Sequence, residues 1–461
     1  MSLSFLDGHG LTHKLSHPEY RPMSRLISFA ILIVAAGVSP LSVCDAQSDE
    51  NAKTSWPPKI NVTEVTKAFP GRKVELFRHG TVAEWGYAKP QQDFFYLVHP
   101  EHPQPDSPLY VCLHSAGHDG KSAFEIGTEG AEGPRGHFLY YPPADCYGLY
   151  PDCRANGAVG DWWWGGPQPN ENPPKNMGLN ATPAENRVEA TVKWVLANYP
   201  MDQNRVYLTG ISMGGSGSLG FGMPRGDLFA SILVHVPAGA LHVQQRMPFP
   251  VGEATGTIKR ADPPVVVAYS GVNDGWAKDQ ATLINGMRTG HFAFIDFWGM
   301  SGHDSTRQAL YSKNDLAFSF PWLQIKKNEA YPAFTDATSD SKIPWTVAAG
   351  ESSDQSGQIN AFFRWRSVED TASAFAIELR LIKPEDVKSE VVFPKKATAD
   401  VTLRRLQHFH PAAAKVVDWQ LKRDGAVVAQ GSFSATAAGL PTLPRLTISQ
   451  IPSTLHLNVR E

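Results

Sequence analysis

The sequence predicts an α/β protein, a mostly parallel sheet with helices on both faces, followed by a smaller C-terminal all-β sandwich domain. Three observations carry this. Short, continuous apolar runs bounded by glycine turns recur between residues 60 and 322, as in strands buried on both faces of a parallel sheet. A capped helix stands between two of those runs, which is half of a βαβ unit. After about residue 325 the pattern turns to alternating apolar and polar positions with hairpin turns, the signature of antiparallel strands. The 461 residues also exceed the roughly 250–300 at which one hydrophobic core stops growing, so two domains are expected.

From the N-terminus, Met23-Ser24-Arg25 leads into an apolar run, Leu26 to Val38. This run is shorter than the roughly 20 residues a membrane span needs. Cys44-Asp45-Ala46 then puts small residues at −3 and −1 of a cleavage after Ala46, a secretory signal pattern. Residues 1–46 are read as the signal, with 1–22 fitting an upstream start-codon artefact, and 47–59 as a polar tether. An uncleaved anchor and a lipid on Cys44 are the alternatives; Val43 counts against the second. The expected location is secreted or periplasmic, without membrane insertion after cleavage. A composition of 42% apolar and 19% charged residues excludes a largely disordered chain. A net charge of −3 argues against nucleic acid as a partner.

The first domain is expected over 60–325. Leu109 to His114, Arg205 to Thr209 and Pro264 to Tyr269 read as buried strands. Thr182 caps a helix, Pro183 takes its first position, Glu185 completes a capping box, and Val188, Val192, Val195 and Leu196 line one face. Asn198-Tyr-Pro200 ends it. Cys146 and Cys153 bracket a short loop in an oxidising compartment, so a disulfide between them is expected. Cys112 reads as a buried thiol. Over 326–461, Ala376 to Ile382 and Asp400 to Leu406 alternate, and Asp424-Gly425 marks a hairpin. No catalytic constellation is visible in that second domain.

The sharpest feature is Gly210-Ile-Ser212-Met-Gly214, placed directly after a strand and before a small-residue stretch, Gly215 to Gly220. A nucleophilic serine must stand proud of the sheet on a strained strand-to-helix turn, and glycines at −2 and +2 relieve the clashes of that turn. The hydroxyl needs a base. Asp274 follows the strand ending at Tyr269, and His303 sits on a glycine loop beyond the strand at 291–298. Ser212, Asp274 and His303 thus form the order Ser…Asp…His. Asp279, Asp304 and His291 are weaker rivals by position. An oxyanion also needs donors. Met213 N–H is one, and the loop His114-Ser-Ala-Gly-His118 offers Ser115 or Ala116 as the other. His114 and His118 alone are weak as metal ligands, and no metal or cofactor is expected.

With these residues in place, the chain over about 60–322 resembles an α/β-hydrolase. Asp202-Gln-Asn-Arg-Val-Tyr-Leu-Thr-Gly-Ile-Ser-Met-Gly-Gly215 is similar to secreted esterases of the polyhydroxybutyrate-depolymerase and feruloyl-esterase type, and to the catalytic domain of prolyl-oligopeptidase-like enzymes. The resemblance implies an eight-stranded, mostly parallel sheet and serine hydrolase chemistry. Ser115 departs from it, since many relatives carry glycine there, and this leaves the second oxyanion donor open.

Asp161-Trp-Trp-Trp-Gly-Gly166 lies on a long insertion. Trp162, Trp163 and Trp164, with His114, are candidates for an aromatic substrate wall; buried indoles anchoring the insertion are the equal alternative. The expected activity is a serine esterase working through an acyl-enzyme on a polymeric or oligomeric ester, an acylated polysaccharide first. A polyester depolymerase, a peptidase and a non-catalytic glycan-binding protein are the other readings.

Overall fold

The computed structural model describes residues 59–60, 69–80, 82–87, 93–130, 138–153, 163, 181–237, 262–277, 280–303, 315–345, 356–436 and 439–461. The signal and the tether, apart from Lys59, lie outside them. Residues 54–461 form one compact unit.

In chain order the strands are β1 Lys59–Ile60, β2 Val74–Arg78, β3 Phe94–Val98, β4 Leu109–Leu113, β5 Tyr147–Pro151, β6 Val206–Ile211, β7 Ser231–His235, β8 Val265–Gly271 and β9 Phe294–Gly299. They are followed by β10 Tyr331–Thr335, β11 Gly357–Ile359, β12 Phe363–Asp370, β13 Ala374–Leu381, β14 Lys396–Arg404, β15 Val416–Arg423, β16 Ala426–Ser434, β17 Leu443–Ser449 and β18 Ser453–Val459. The described helices are α1 Gly120–Gly127, α2 Pro183–Asn198, α3 Met213–Gly222 and α4 Gln280–Thr289.

A ten-stranded sheet runs β1-β2-β3-β5-β4-β6-β7-β8-β9-β11. It is parallel from β5 through β9 and antiparallel at both margins. The parallel strands β4, β6, β7, β8 and β9 are buried at every position, which is why they read as unbroken apolar runs. α2, α3 and α4 pack one face of the sheet through Val188, Val192, Leu219, Leu283 and Ile284. The Thr182 hydroxyl accepts the Glu185 N–H and the Glu185 carboxylate accepts the Thr182 N–H, a capping box contributing about 1 kcal/mol.

The other face is covered differently. α1 packs there through Ala123 and Phe124, and residues from the C-terminal part complete the cover. Tyr207, Tyr269 and Phe297 of the central sheet share one core with Tyr331, Phe334 and Phe363. The C-terminal strands form a three-stranded antiparallel sheet, β10-β14-β17, and a five-stranded one, β12-β13-β18-β15-β16. Asp424 and Gly425, both at positive φ, turn β15 into β16. Among the described residues, packing runs across residue 325. β11 adds a strand to the central sheet beside β9, and the buried Arg405 guanidinium donates to the carbonyls of Ala230, Pro263 and Lys326.

Candidate active site

The serine turn is built by close backbone approach. β6 ends at Ile211 and α3 begins at Met213, leaving Ser212 at φ 55°, ψ −117°. A non-glycine residue adopts this only at a cost of about 1–3 kcal/mol. A methyl group on Gly214 would lie 2.0 Å from the Leu113 carbonyl oxygen, and one on Gly210 would lie 2.2 Å from the Gly214 oxygen. Glycine at both positions lets the helix sit against the end of β4. The Ser212 N–H donates to the His235 carbonyl at 3.0 Å, so the turn is tied to β7 as well.

Ser212 caps α3 in sequence, but its hydroxyl makes no cap bond. It points instead to His303, with Oγ and Nε2 2.8 Å apart. His303 Nδ1 lies 2.7 Å from Asp274 Oδ2. The other Asp274 oxygen accepts the Trp276 N–H at 2.8 Å. An ionised carboxylate accepts only, so Nδ1 carries the proton and Nε2 is left to accept from the serine. Asp274 is buried and His303 is exposed. The loops that carry them are laced together: Val272 N–H donates to Gly299 O, Asn273 N–H to Ser301 O and the Asn273 side chain to Met300 O.

A strained serine between a parallel strand and a helix, with an acid and a histidine from the next loops in the order Ser…Asp…His, decides the architecture. The core has the α/β-hydrolase fold. No protein-family model and no curated protein matches the chain. Among solved structures, its core is similar to an S-formylglutathione hydrolase from Agrobacterium tumefaciens, at 14% identity over 53% of this chain and 93% of that one, TM-score 0.34. It is also similar to an acetyl xylan esterase from Aspergillus awamori, at 15% identity over 50% and 94%, TM-score 0.34. A third likeness is to a thermostable esterase, at 20% identity over 48% and 54%, TM-score 0.35.

Around this centre several expectations change. The Ser115 N–H donates to the Tyr140 hydroxyl at 2.9 Å, so it is committed and does not face an oxyanion. Burial raises that phenol to about 12, keeping it a neutral partner. Ala116, exposed on the same loop, and Met213, the first residue of α3, remain as the candidate donors; the first turn of a helix has no internal partners for its N–H groups.

His114 is not a substrate residue. It is fully buried; Nδ1 donates to its neighbour's carbonyl, Ser115 O, at 3.0 Å, and Nε2 accepts the Cys153 N–H at 3.0 Å. It fastens the loop after β4 to the chain after β5. Trp163 is likewise buried, with its indole N–H donating to His114 O at 2.8 Å. Its side chain fills the space that a methyl on Gly217 would occupy. This tryptophan anchors the insertion instead of forming a wall; Trp162 and Trp164 lie outside the described residues, as do Asp279 and Asp304.

Cys146 and Cys153 are not bonded to each other. The segment between them is the strand β5 and not a loop. An extended chain of that length separates the two by roughly 20 Å, whereas a disulfide needs Cα atoms within about 7 Å.

Two residues at the site escaped the sequence reading. Tyr140 comes from a one-turn helix, Phe138–Tyr140, with no motif to mark it. Trp276 had a signal: it sits in the polar turn Asn273-Asp-Gly-Trp276, where no strand or helix pattern provides a core to bury an indole.

Proposed function

We propose that the protein is a secreted serine esterase that cleaves carboxylic esters through an acyl-enzyme, with an acylated polysaccharide as substrate. The observation that carries the reading is the hydrogen-bonded line Ser212 Oγ, His303 Nε2, His303 Nδ1, Asp274 Oδ2, at 2.8 and 2.7 Å. In this reading Ser212 Oγ attacks the acyl carbon while His303 Nε2 takes its proton, and Asp274 stabilises the imidazolium. The N–H groups of Met213 and Ala116 receive the oxyanion. Its collapse expels the alcohol, protonated by His303. Water, deprotonated by the same nitrogen, then releases the acid and restores Ser212.

The polymer preference is supported by the exposed His303 and partly exposed Ser212, and by Ser212 and Asp274 standing 62 residues apart, a short interval for a lipase-type lid. Secretion is supported by the pattern over 23–46. The C-terminal part, read as a β-sandwich, serves as the accessory domain. The test is turnover of 4-nitrophenyl acetate and of acetylated and feruloylated glycans by the wild type and Ser212→Ala. Activity that survives the substitution sinks the mechanism.

A further inference from the structure

Seven large apolar side chains are markedly exposed among the described residues. Five of them, Val368, Val392, Val427, Val428 and Ile451, belong to the C-terminal sheets and their loops. The other two are Trp276, 43% exposed, and Met300, 40% exposed. These two lie on the adjoining loops that carry Asp274 and His303. Burying a tryptophan is worth more than burying a valine, because more apolar area leaves water, and this loop leaves its indole in solvent.

The exposure is not a matter of slack chain. The Trp276 N–H donates to Asp274 Oδ1, and the Ala277 N–H to the Asp274 carbonyl at 3.0 Å. Cross-bonds from Val272 and Asn273 hold this loop to the one bearing Met300. The backbone that carries the indole is therefore held at a set position beside His303. The indole ring centroid lies 6.5 Å from that of the His303 imidazole, with the planes inclined at 54°. The two rings do not stack, which leaves an indole face for another ring.

Chemistry says which part of an ester meets that face. His303 Nε2 must protonate the leaving oxygen, so the alcohol portion lies on the exposed side of the imidazole. The acyl oxygen must point the other way, to Met213 N–H. Trp276, exposed beside His303, is assigned to the alcohol side of the scissile bond in this reading. We propose that Trp276, with Met300 on the adjoining loop, forms a leaving-group subsite that selects alcohols carrying a pyranose ring, whose C–H face packs on the indole, over simple chain alcohols. The proposal rests on the esterase reading of Ser212.

The test holds the acyl group constant. kcat/KM is measured by pH-stat for an O-acetylated methyl xyloside, phenyl acetate and ethyl acetate, in the wild type, Trp276→Ala and Trp276→Phe. The ratio of the xyloside ester to ethyl acetate falls about three- to tenfold in Trp276→Ala and is largely restored in Trp276→Phe. An unchanged ratio overturns the proposal, as does a fall confined to phenyl acetate. An equal fall for all three esters, with slower fluorophosphonate labelling of Ser212, would show that Trp276 only supports Asp274, and also overturns it. A wild type that hydrolyses none of the esters and takes no label refutes the esterase reading itself, which the ratio alone does not.

Discussion

The indole N–H of Trp163 donates to the carbonyl of His114 at 2.8 Å, joining two chain segments 49 positions apart. The same side chain lies against Gly217 of the serine helix. One residue of the insertion therefore supports both the loop expected to supply an oxyanion donor and the helix behind the nucleophile. Trp163→Phe keeps most of the packing and removes the donor. It leaves a buried carbonyl unpaired and costs about 1–3 kcal/mol. Denaturant unfolding reads this, and an unchanged midpoint would contradict it.

The serine turn depends on two missing methyl groups. Gly214→Ala would drive a methyl into the Leu113 backbone, where no rotamer can yield. The expected loss is more than about 3 kcal/mol, seen in thermal melts or as insoluble protein. Gly80→Ala is the control, since a methyl there meets nothing within 4 Å.

Without a bridge between Cys146 and Cys153, reductant leaves the melting midpoint unchanged. Both thiols and Cys112 are buried, and burial pushes the Cys146 and Cys112 thiols above their ordinary range. Iodoacetamide should therefore modify none of the three in the native protein and all three after unfolding. A disulfide-linked peptide pair in a non-reducing digest would refute this.

Asp296 on β9 is fully buried, and the Gln280 side chain and Phe297 backbone offset the desolvation of its carboxyl only in part. Burial pushes it up to about 8. A carboxyl whose folded value is raised binds its proton more tightly in the native than in the unfolded chain. Its contribution is complete below the ordinary value of about 3.9 and is lost as pH rises towards 8. The protein should lose stability over that interval from this group. Asp296→Asn, a neutral isostere, should melt a few degrees higher than the wild type near pH 8.5 and alike at a pH just below the ordinary carboxyl value, about 3.5. Equal midpoints at both pH values would show that the carboxyl is not the cause.

The parallel strands, the capping box at Thr182 and the Asp424-Gly425 hairpin were legible because each is a local rule: an apolar run, a side chain reaching its own helix, a turn needing positive φ. Ser212, Asp274 and His303 were legible for a related reason. Their positions follow from strand ends, and strand ends follow from the apolar pattern. Cys146 and Cys153 misled because Tyr147–Pro151, with its glycine and proline, has loop composition and yet hydrogen-bonds between β3 and β4. Strand pairing with distant segments outweighed local propensity.

By itself the sequence determined the central parallel strands, the capped helix and the order in which the nucleophile, acid and base candidates follow, because hydrophobic period and turn chemistry act over a few residues. Only the tertiary structure decided what those elements meet. Packing turned the Ser115 N–H to Tyr140, buried Trp163 against Gly217 and left Trp276 outside, and it laid the C-terminal residues against the central sheet. Those outcomes depend on contacts between segments far apart in the chain, and a contact of that kind has no local signature.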